Sequence, residues 1–167
     1  MYIEKYKDLE PTIHPTARLF KNVVISGDIT ISKNVNIWFN ASLRADMSPI
    51  FIGENTNIQD NAVVHTNTGL PTYIGKNVTV GHGAIIHAAT IEDDCLIGMG
   101  SIILDGAVIK QGALVGAGTL IPPNKVIPKN TLVIGNPMRI IRELTETELD
   151  GNMKNKNFYL KLMNEYK

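Results

Sequence analysis

Residues 91–133 read IEDDCLIGMGSIILDGAVIKQGALVGAGTLIPPNKVIPKNTLV, and this stretch decides the fold. Within it an Ile or Val recurs at every sixth position: Ile91, Ile97, Ile103, Ile109, Val115, Ile121, Ile127 and Val133. The same step of six runs from Ile13 to Leu43, from Ile52 to Val64 and from Ile74 to Ile86. An α-helix repeats every 3.6 residues and a coiled coil every 3.5, so a step of six indicates neither.

The repeat predicts an all-β protein folded as a parallel β-helix. Six residues accommodate one short strand and one tight turn, and hexapeptide repeats are typical of this fold. Three repeats make one triangular coil of about 18 residues, and neighbouring coils stack ~4.8 Å apart. We call each repeated Ile, Leu or Val an anchor. Most positions four residues after an anchor are small or β-branched and are expected to point inward, among them Thr90 and Cys95.

The repeat also sets the expected division of the chain. Residues 1–12 are predicted to be an irregular lead-in, residues 13–137 the β-helix, and residues 138–167 a helical segment that packs on it. Thr145 and Glu148 have the spacing of a helix-starting capping box. We expect Gly151-Asn152 to interrupt the helix. Phe158, Leu162 and Tyr166 are predicted to form its apolar stripe.

Composition narrows the classes of partner. With 16 basic and 16 acidic residues mixed along the chain, neither nucleic acid nor an anionic membrane is an expected partner. A single cysteine excludes an internal disulfide and any Cys-x-x-Cys motif. The start has no apolar signal-peptide core, and no run of ~18 apolar residues follows. The sequence therefore predicts a cytoplasmic protein whose interior holds few aromatic rings, since these make up 6% of the residues.

Interruptions of the repeat mark one corner of the prism. Counted in threes, the anchors fall on three faces, and the step of six fails only after Leu43, Val64 and Ile86, all on the third face. Irregularities collected on one edge of a solenoid are typical of its binding surface. The residue after an anchor points outward, so His65 and His87 are predicted to occupy the same place on consecutive coils. From there two imidazoles can reach one Zn²⁺.

A third histidine lies elsewhere. His82 follows Gly81 on the second face and is not expected to reach the same ion within one chain. A neighbouring subunit would supply it, and closed symmetry favours a homotrimer with three interfacial sites. Three imidazoles leave the fourth position of a tetrahedral zinc to water, whose pKa then falls to about 7. Trp38 follows a second-face anchor and is expected to cover apolar surface at the subunit interface.

Three stretches carry a resemblance to a known family: NASLRAD (40–46), NIQDNAVVH (57–65) and GHGAIIH (81–87). Together they resemble the gamma-class carbonic anhydrases. The resemblance implies a left-handed β-helix homotrimer that binds zinc, or Fe²⁺ or Co²⁺, through His65 and His87 of one chain and His82 of its neighbour. It further implies that Arg44 and Asp46 bridge subunits beside the site and that Gln59 hydrogen-bonds the metal-bound water. Asn57, Asp60 and Tyr159 match positions near it.

The reaction that the resemblance implies is attack of zinc hydroxide on CO₂, giving bicarbonate. The best-characterised enzymes of the class carry a long acidic loop with a glutamate as proton shuttle, whereas residues 66–73 here, TNTGLPTY, contain no acid. We therefore expect weak or absent CO₂ hydration unless buffer removes the proton. The alternatives are a metal-dependent acyl-CoA thioesterase, a metal-free acyltransferase suggested by the repeat and by the terminus Ile134–Arg139, and a scaffold with a vestigial metal.

Overall fold

Three parallel ladders of short strands wind around one interior in the computed structural model, which describes residues 1–166. The first face holds β2 (Thr12–Ile13), β9 (Thr72–Ile74), β12 (Thr90–Ile91), β15 (Val108–Ile109) and β18 (Val126–Ile127). The second face holds β3 (Arg18–Leu19), β5 (Asn36–Ile37), β7 (Asn57–Ile58), β10 (Thr79–Val80), β13 (Leu96–Ile97), β16 (Leu114–Val115) and β19 (Thr131–Ile134). The third face holds β8 (Val63–His65), β11 (Ile85–His87), β14 (Ile102–Ile103) and β17 (Leu120–Ile121). Two long strands, β4 (Val24–Ile31) and β6 (Ser42–Ile52), continue from the third face onto the first.

Both ends of the solenoid carry additional elements. β1 (Tyr2–Glu4) pairs in parallel with the start of β4, so part of the expected irregular lead-in is a strand. β20 (Arg139–Glu143) runs antiparallel to β19 and leads into α1 (Glu146–Glu165). The expected interruption of the helix at Gly151-Asn152 is wrong, since α1 is continuous across both residues. No helix among residues 1–166 is long and apolar enough to cross a membrane.

The anchors form the interior as the period of six predicts. Ile91 pairs with Ile74 on one side and Ile109 on the other, and every anchor from Ile25 to Val133 is buried. Ile13 and Leu19 are only partly buried because their coil is the first of the stack. Cys95 lies in this interior, where burial raises the pKa of its thiol to about 12, which fits its predicted packing role.

One inward assignment is wrong. Thr90 is half-buried on the outside, and Ala89 takes the inward place instead. The cause is the five-residue step from Ile86 to Ile91, which is one residue shorter than the repeat. The corner is tightened there by Ala88, whose φ of 49° lies in the left-handed region that alanine rarely adopts.

Asparagines build the corner between the first and second faces. Asn34, Asn55 and Asn77 all have positive φ, a conformation that asparagine tolerates better than most residues. Asn34 Nδ2 donates to Asn55 Oδ1 at 3.1 Å, and Asn55 Nδ2 donates to Asn77 Oδ1 at the same distance. Asn77 Nδ2 continues the ladder to Asp94 Oδ1 at 2.9 Å. These hydrogen bonds pair the side-chain amides of successive coils with one another.

α1 packs across β5, β7 and β10 on the second face, over a small aromatic cluster. Trp38 stacks on Phe20 with ring centroids 4.2 Å apart and is buried by its own chain, so its expected role at a subunit interface is wrong. The predicted apolar stripe of the helix is confirmed in part. Leu162 packs against the cluster and the ring of Tyr166 lies 5.2 Å from that of Phe20, whereas Phe158 is 57% exposed. Met163 and Tyr159 also contact the cluster.

Candidate metal centre

His65 and His87 meet at the third-face corner. They are direct partners in the β8–β11 pairing, so parallel register places one imidazole above the other. Nδ1 of His65 lies 3.1 Å from Nε2 of His87, and both side chains are partly exposed to solvent. The contact between His65 and His87 that the repeat predicted is therefore present in the structure.

Each of these rings is held by a carboxylate on its other nitrogen. His65 Nε2 lies 3.0 Å from Asp46 Oδ1, and His87 Nδ1 lies 2.5 Å from Asp105 Oδ1. An ionised carboxylate can only accept, so both of these ring nitrogens donate. A neutral imidazole carries one N–H, which leaves lone pairs on the two nitrogens that face each other. Such a pair is stable only with a cation, a proton or a metal ion, between them.

A metal ion fits this donor set. Two imidazole nitrogens at ~2.0–2.1 Å from a tetrahedral Zn²⁺ lie about 3.3 Å apart, close to the 3.1 Å between His65 Nδ1 and His87 Nε2. Carboxylates that hold the outer nitrogen of a metal-ligating histidine fix its tautomer and strengthen it as a ligand. Both features are present in the arrangement of these side chains.

Arg44 and Asp46 form an ion pair beside His65, within one chain. Burial raises the pKa of Asp46, but hydrogen bonds from His65 and then Arg44 outweigh it and lower the pKa below its usual value. Asp46 is therefore ionised at neutral pH. Its Oδ1 accepts a hydrogen bond from the imidazole of His65, and its Oδ2 accepts one from the guanidinium of Arg44.

Asp105 is a site residue that the sequence reading missed. It follows β14, one coil beyond His87, and a hydrogen bond from Asn67 and then one from His87 lower the pKa of its carboxyl. A signal was present, because Asp105 lies two residues after the third-face anchor Ile103, at the same corner as His65 and His87. An acidic residue one coil beyond a candidate histidine ligand is a position worth testing in such repeats.

His82 belongs to a second group on the second face. Its Nδ1 lies 2.8 Å from Asp60 Oδ2, and its Nε2 lies 3.5 Å from the hydroxyl oxygen of Tyr159 on α1. The carboxylate again takes the N–H of Nδ1, so Nε2 carries the lone pair. Burial and the negative charge of Asp60 raise the pKa of Tyr159, which keeps its phenol protonated at neutral pH.

Buried amides hold Gln59 close to this second group. Gln59 Nε2 donates to Asn57 Oδ1 at 3.1 Å, and Asn57 Nδ2 donates to Thr79 Oγ1 at 2.9 Å. These bonds fix which end of the Gln59 amide is a donor and leave its Oε1 for another partner. Gln59, His82 and Tyr159 all line one cavity of about 330 Å³ between α1 and the second face. Apart from Thr79 and Asn155, its remaining wall is apolar and rich in glycine.

The structure therefore divides the predicted site residues into two groups. Arg44, Asp46, His65 and His87 lie together at the third-face corner, and Asn57, Gln59, Asp60, His82 and Tyr159 lie together on the second face. Among residues 1–166 no three His, Cys, Asp or Glu side chains of one chain converge as metal ligands. His14, the fourth histidine, is exposed, and within the described part of the chain its imidazole bonds only to Thr16.

Comparison with known proteins gives a consistent family. Residues 88–123 match the family model described as bacterial transferase hexapeptide (six repeats). The chain is 44% identical to a carbonic anhydrase of Geobacillus kaustophilus over 88% of its own length and 81% of that protein. It is 47% identical to a protein of Methanocaldococcus jannaschii named "probable carbonic anhydrase", over 90% and 94%. The crystal structure of a hexapeptide transferase family protein from Anaplasma phagocytophilum superimposes with a TM-score of 0.96 at 39% identity, covering 99% of this chain and 98% of that one.

Proposed function

The chain belongs to the gamma-class carbonic anhydrase-like family of hexapeptide-repeat proteins, and from this we propose that it is a metal-dependent enzyme that hydrates CO₂. One observation carries the proposal. Three imidazoles, those of His65, His82 and His87, are each held by a carboxylate through one nitrogen, which leaves the other nitrogen for a metal.

We assign the ligands as His65 Nδ1 and His87 Nε2 from one subunit and His82 Nε2 from its neighbour. Zinc suits three neutral imidazoles, and Fe²⁺ or Co²⁺ are the alternatives that the same donors accept. A bound ion of this kind supplies an acidified water as a nucleophile at neutral pH. Three protein ligands leave room for that water, as in catalytic rather than structural zinc sites.

A homotrimer is the assembly that completes this ligand set. The outward residues of the third face next to the histidine pair form a stripe that is apolar except for Ser42: Val24, Ser42, Val63, Ile85, Ile102 and Leu120. The second face offers the cavity beside His82. The glycines that line it, Gly81, Gly98 and Gly116, serve the stacking of the chain's own coils, because a Cβ at each would lie 2.5–2.7 Å from an atom of the next coil. Packing one face against the other in each of three subunits buries both surfaces and closes the ring.

The chain's own polar groups supply the remaining functions. Gln59 presents Oε1 from a buried, hydrogen-bonded position, so it can accept a hydrogen bond from a water held at the metal. The protonated phenol of Tyr159 can donate to an oxygen of the bound substrate. Hydrogen bonds from His65 and then Arg44 favour the ionised form of Asp46, and Asp46 in turn holds His65 in its ligand tautomer. Asn57 hydrogen-bonds Gln59, and Asp60 hydrogen-bonds His82, so each fixes the orientation of its partner.

Removal of the product proton is the step that we expect to limit the rate of CO₂ hydration. The segment 66–73 next to His65 has no acidic residue, so it offers no carboxylate to accept a proton. Buffer must then carry the proton away, and we expect slow CO₂ hydration at low buffer. A location in the cytoplasm remains a prediction from the sequence.

An acyl-group reaction is the second candidate. The matching family model and the Anaplasma relative both carry transferase names, and the cavity beside His82 has an apolar wall that suits an acyl chain. The same metal centre would then hydrolyse an acyl-CoA thioester, or His82 with Asp60 would act as a base without a metal. Activity against a panel of acyl-CoA thioesters that depends on the metal, together with no CO₂ hydration at saturating buffer, would favour the thioesterase.

Mixed trimers test the interfacial site directly. His82→Ala and His87→Ala chains, each alone, lack one ligand at every site and should bind no stoichiometric zinc. When the two are unfolded together and refolded, an interface that pairs the third face of an H82A chain with the second face of an H87A chain is complete. Random assembly then restores about one quarter of the wild-type metal content and CO₂ hydration.

The outcomes separate the alternatives. Restored zinc without CO₂ hydration supports the metal centre and moves the assignment to the thioester panel. No restored zinc in mixtures that sediment as trimers contradicts the interfacial site. A wild-type protein that sediments as a monomer also contradicts the interfacial site.

A further inference from the structure

The short segment after His65 is tied closely to the metal-ligand corner. Asn67 and Leu70 exchange two backbone hydrogen bonds of 3.1 and 2.9 Å, which closes a tight turn. Ser48 Oγ donates to the carbonyl of Asn67 at 2.7 Å, and Thr72 Oγ1 donates to the carbonyl of His65 at 2.5 Å. These bonds give the segment one defined position on the corner rather than that of a solvated loop.

Within this turn the side chain of Asn67 has a fixed orientation. Its Oδ1 accepts the backbone N–H of Thr68 at 2.8 Å, so its Nδ2 is the group that donates to Asp105 Oδ2 at 2.7 Å. The other oxygen of Asp105 faces His87 Nδ1 at 2.5 Å. A continuous chain of hydrogen bonds therefore joins the turn to one imidazole of the histidine pair.

We propose that Asp105 is a positioning residue for His87 and that Asn67 positions Asp105 in turn. Asp105 fixes the proton of His87 on Nδ1 and aims Nε2 at His65. Asn67 holds the carboxylate in the plane that this bond requires. The short segment 66–72 thereby controls the geometry of a metal ligand without touching the metal, and the part of the inference that concerns metal affinity depends on the proposed function.

The energetic consequence follows from the role of the outer hydrogen bond. Loss of a carboxylate that orients a metal-ligating histidine typically weakens metal binding by about 10- to 100-fold. Loss of Asn67 leaves the carboxylate in place but free to rotate. The Asn67→Ala change should therefore weaken metal binding in the same direction and by less than Asp105→Asn.

The chain contains a matched control for both changes. Asp94 accepts Asn77 Nδ2 on one oxygen and Gln111 Nε2 on the other, each at 2.9 Å. Asp94 therefore resembles Asp105 in joining side chains of different coils and in accepting from an asparagine, but neither of its partners is an imidazole. Asp94→Asn removes the same charge from a comparable corner and leaves the histidines untouched.

The first measurement uses the metal-free protein. Nitrogen-15 NMR of the imidazoles in the wild type should show a proton on Nδ1 of His87, with a low-field N–H signal from its short bond to Asp105. We expect D105N to lose that signal, N67A to shift it toward higher field, and D94N to leave it unchanged. A His87 signal unaffected by D105N, or affected equally by D94N, overturns the proposal.

The second measurement is the zinc dissociation constant, by competition with a chromophoric chelator. We expect it to rise by about 10- to 100-fold in D105N and by less in N67A, with D94N within about twofold of the wild type. Equal losses in D105N and D94N contradict the positioning role. A wild type that binds no zinc would refute the proposed function, whereas the metal-free NMR would still decide whether Asp105 positions His87.

Discussion

Nδ1 of His65 faces Nε2 of His87 at 3.1 Å across two neighbouring coils, although the two residues are 22 positions apart in the chain. Parallel register sets their backbones side by side, and two carboxylates, those of Asp46 and Asp105, hold the outer nitrogens. The inner nitrogens are thereby left to share one cation. This arrangement is the observation that supports the proposed metal site at the corner.

The first prediction concerns the proton released in CO₂ hydration. Because residues 66–73 contain no acid, the hydration rate of the zinc-loaded protein should rise with the concentration of an imidazole-type buffer. Stopped-flow measurement at constant pH and ionic strength gives the rate at each buffer concentration. Fast hydration that is independent of buffer would contradict the expectation and would require another proton acceptor in the protein.

Replacement of Trp38 by alanine should loosen α1. The indole is 3% exposed, stacks on Phe20 and contacts Tyr159 of the helix, and its loss leaves a cavity. Truncation of a buried aromatic side chain costs about 3–5 kcal/mol in free energy of unfolding. Phe158→Ala, which truncates an exposed ring on the same helix, is the control and should cost less than about 1 kcal/mol. Urea denaturation followed by circular dichroism measures both variants.

The asparagine ladder makes a prediction about backbone strain. Asn55 has a φ of 59° and hydrogen bonds on both sides. Both Asn55→Gly and Asn55→Ala lose these bonds, but glycine adopts the left-handed region without strain, whereas alanine keeps a Cβ there without the side-chain amide that lets asparagine tolerate it. We expect the alanine variant to be less stable than the glycine variant by about 1 kcal/mol. Equal stabilities in chemical denaturation would mean that the corner relaxes to a different φ.

The start of α1 should carry a pH dependence. Hydrogen bonds from Arg142 and then Thr145 lower the pKa of Glu148 from 4.5 to about 2. The folded state therefore favours the ionised form, and this stabilisation is full above pH 4.5 and is lost as the pH falls through 2. Glu148→Gln should be less stable than the wild type at neutral pH, and the difference should shrink in acid.

Glu146→Gln provides the comparison for that experiment. Glu146 lies in the same first turn but contributes neither to the capping box nor to the ion pair with Arg142. Its variant should follow the wild type more closely over the same pH range in urea denaturation. A Glu148→Gln variant whose stability deficit is the same at neutral and acid pH would rule out the ion pair as its source.

Most of the fold could be predicted from the six-residue repeat. The step of six fixed the faces, the buried anchors and the register of His65 with His87, because each coil repeats the previous one. Predictions failed where the chain leaves this rule. Thr90 follows a five-residue step, and the buried face of α1 depends on which side of the helix meets the second face.

What the sequence by itself determined is periodic: a parallel solenoid, an interior of Ile, Leu and Val, and two histidines stacked at one corner. Periodicity converts position along the chain into position in space, so those features need no other information. Only the tertiary structure placed Asp105 on His87, Asn67 on Asp105, and Tyr159 beside His82. These contacts depend on where irregular turns and a separate helix come to lie, and no repeat encodes that.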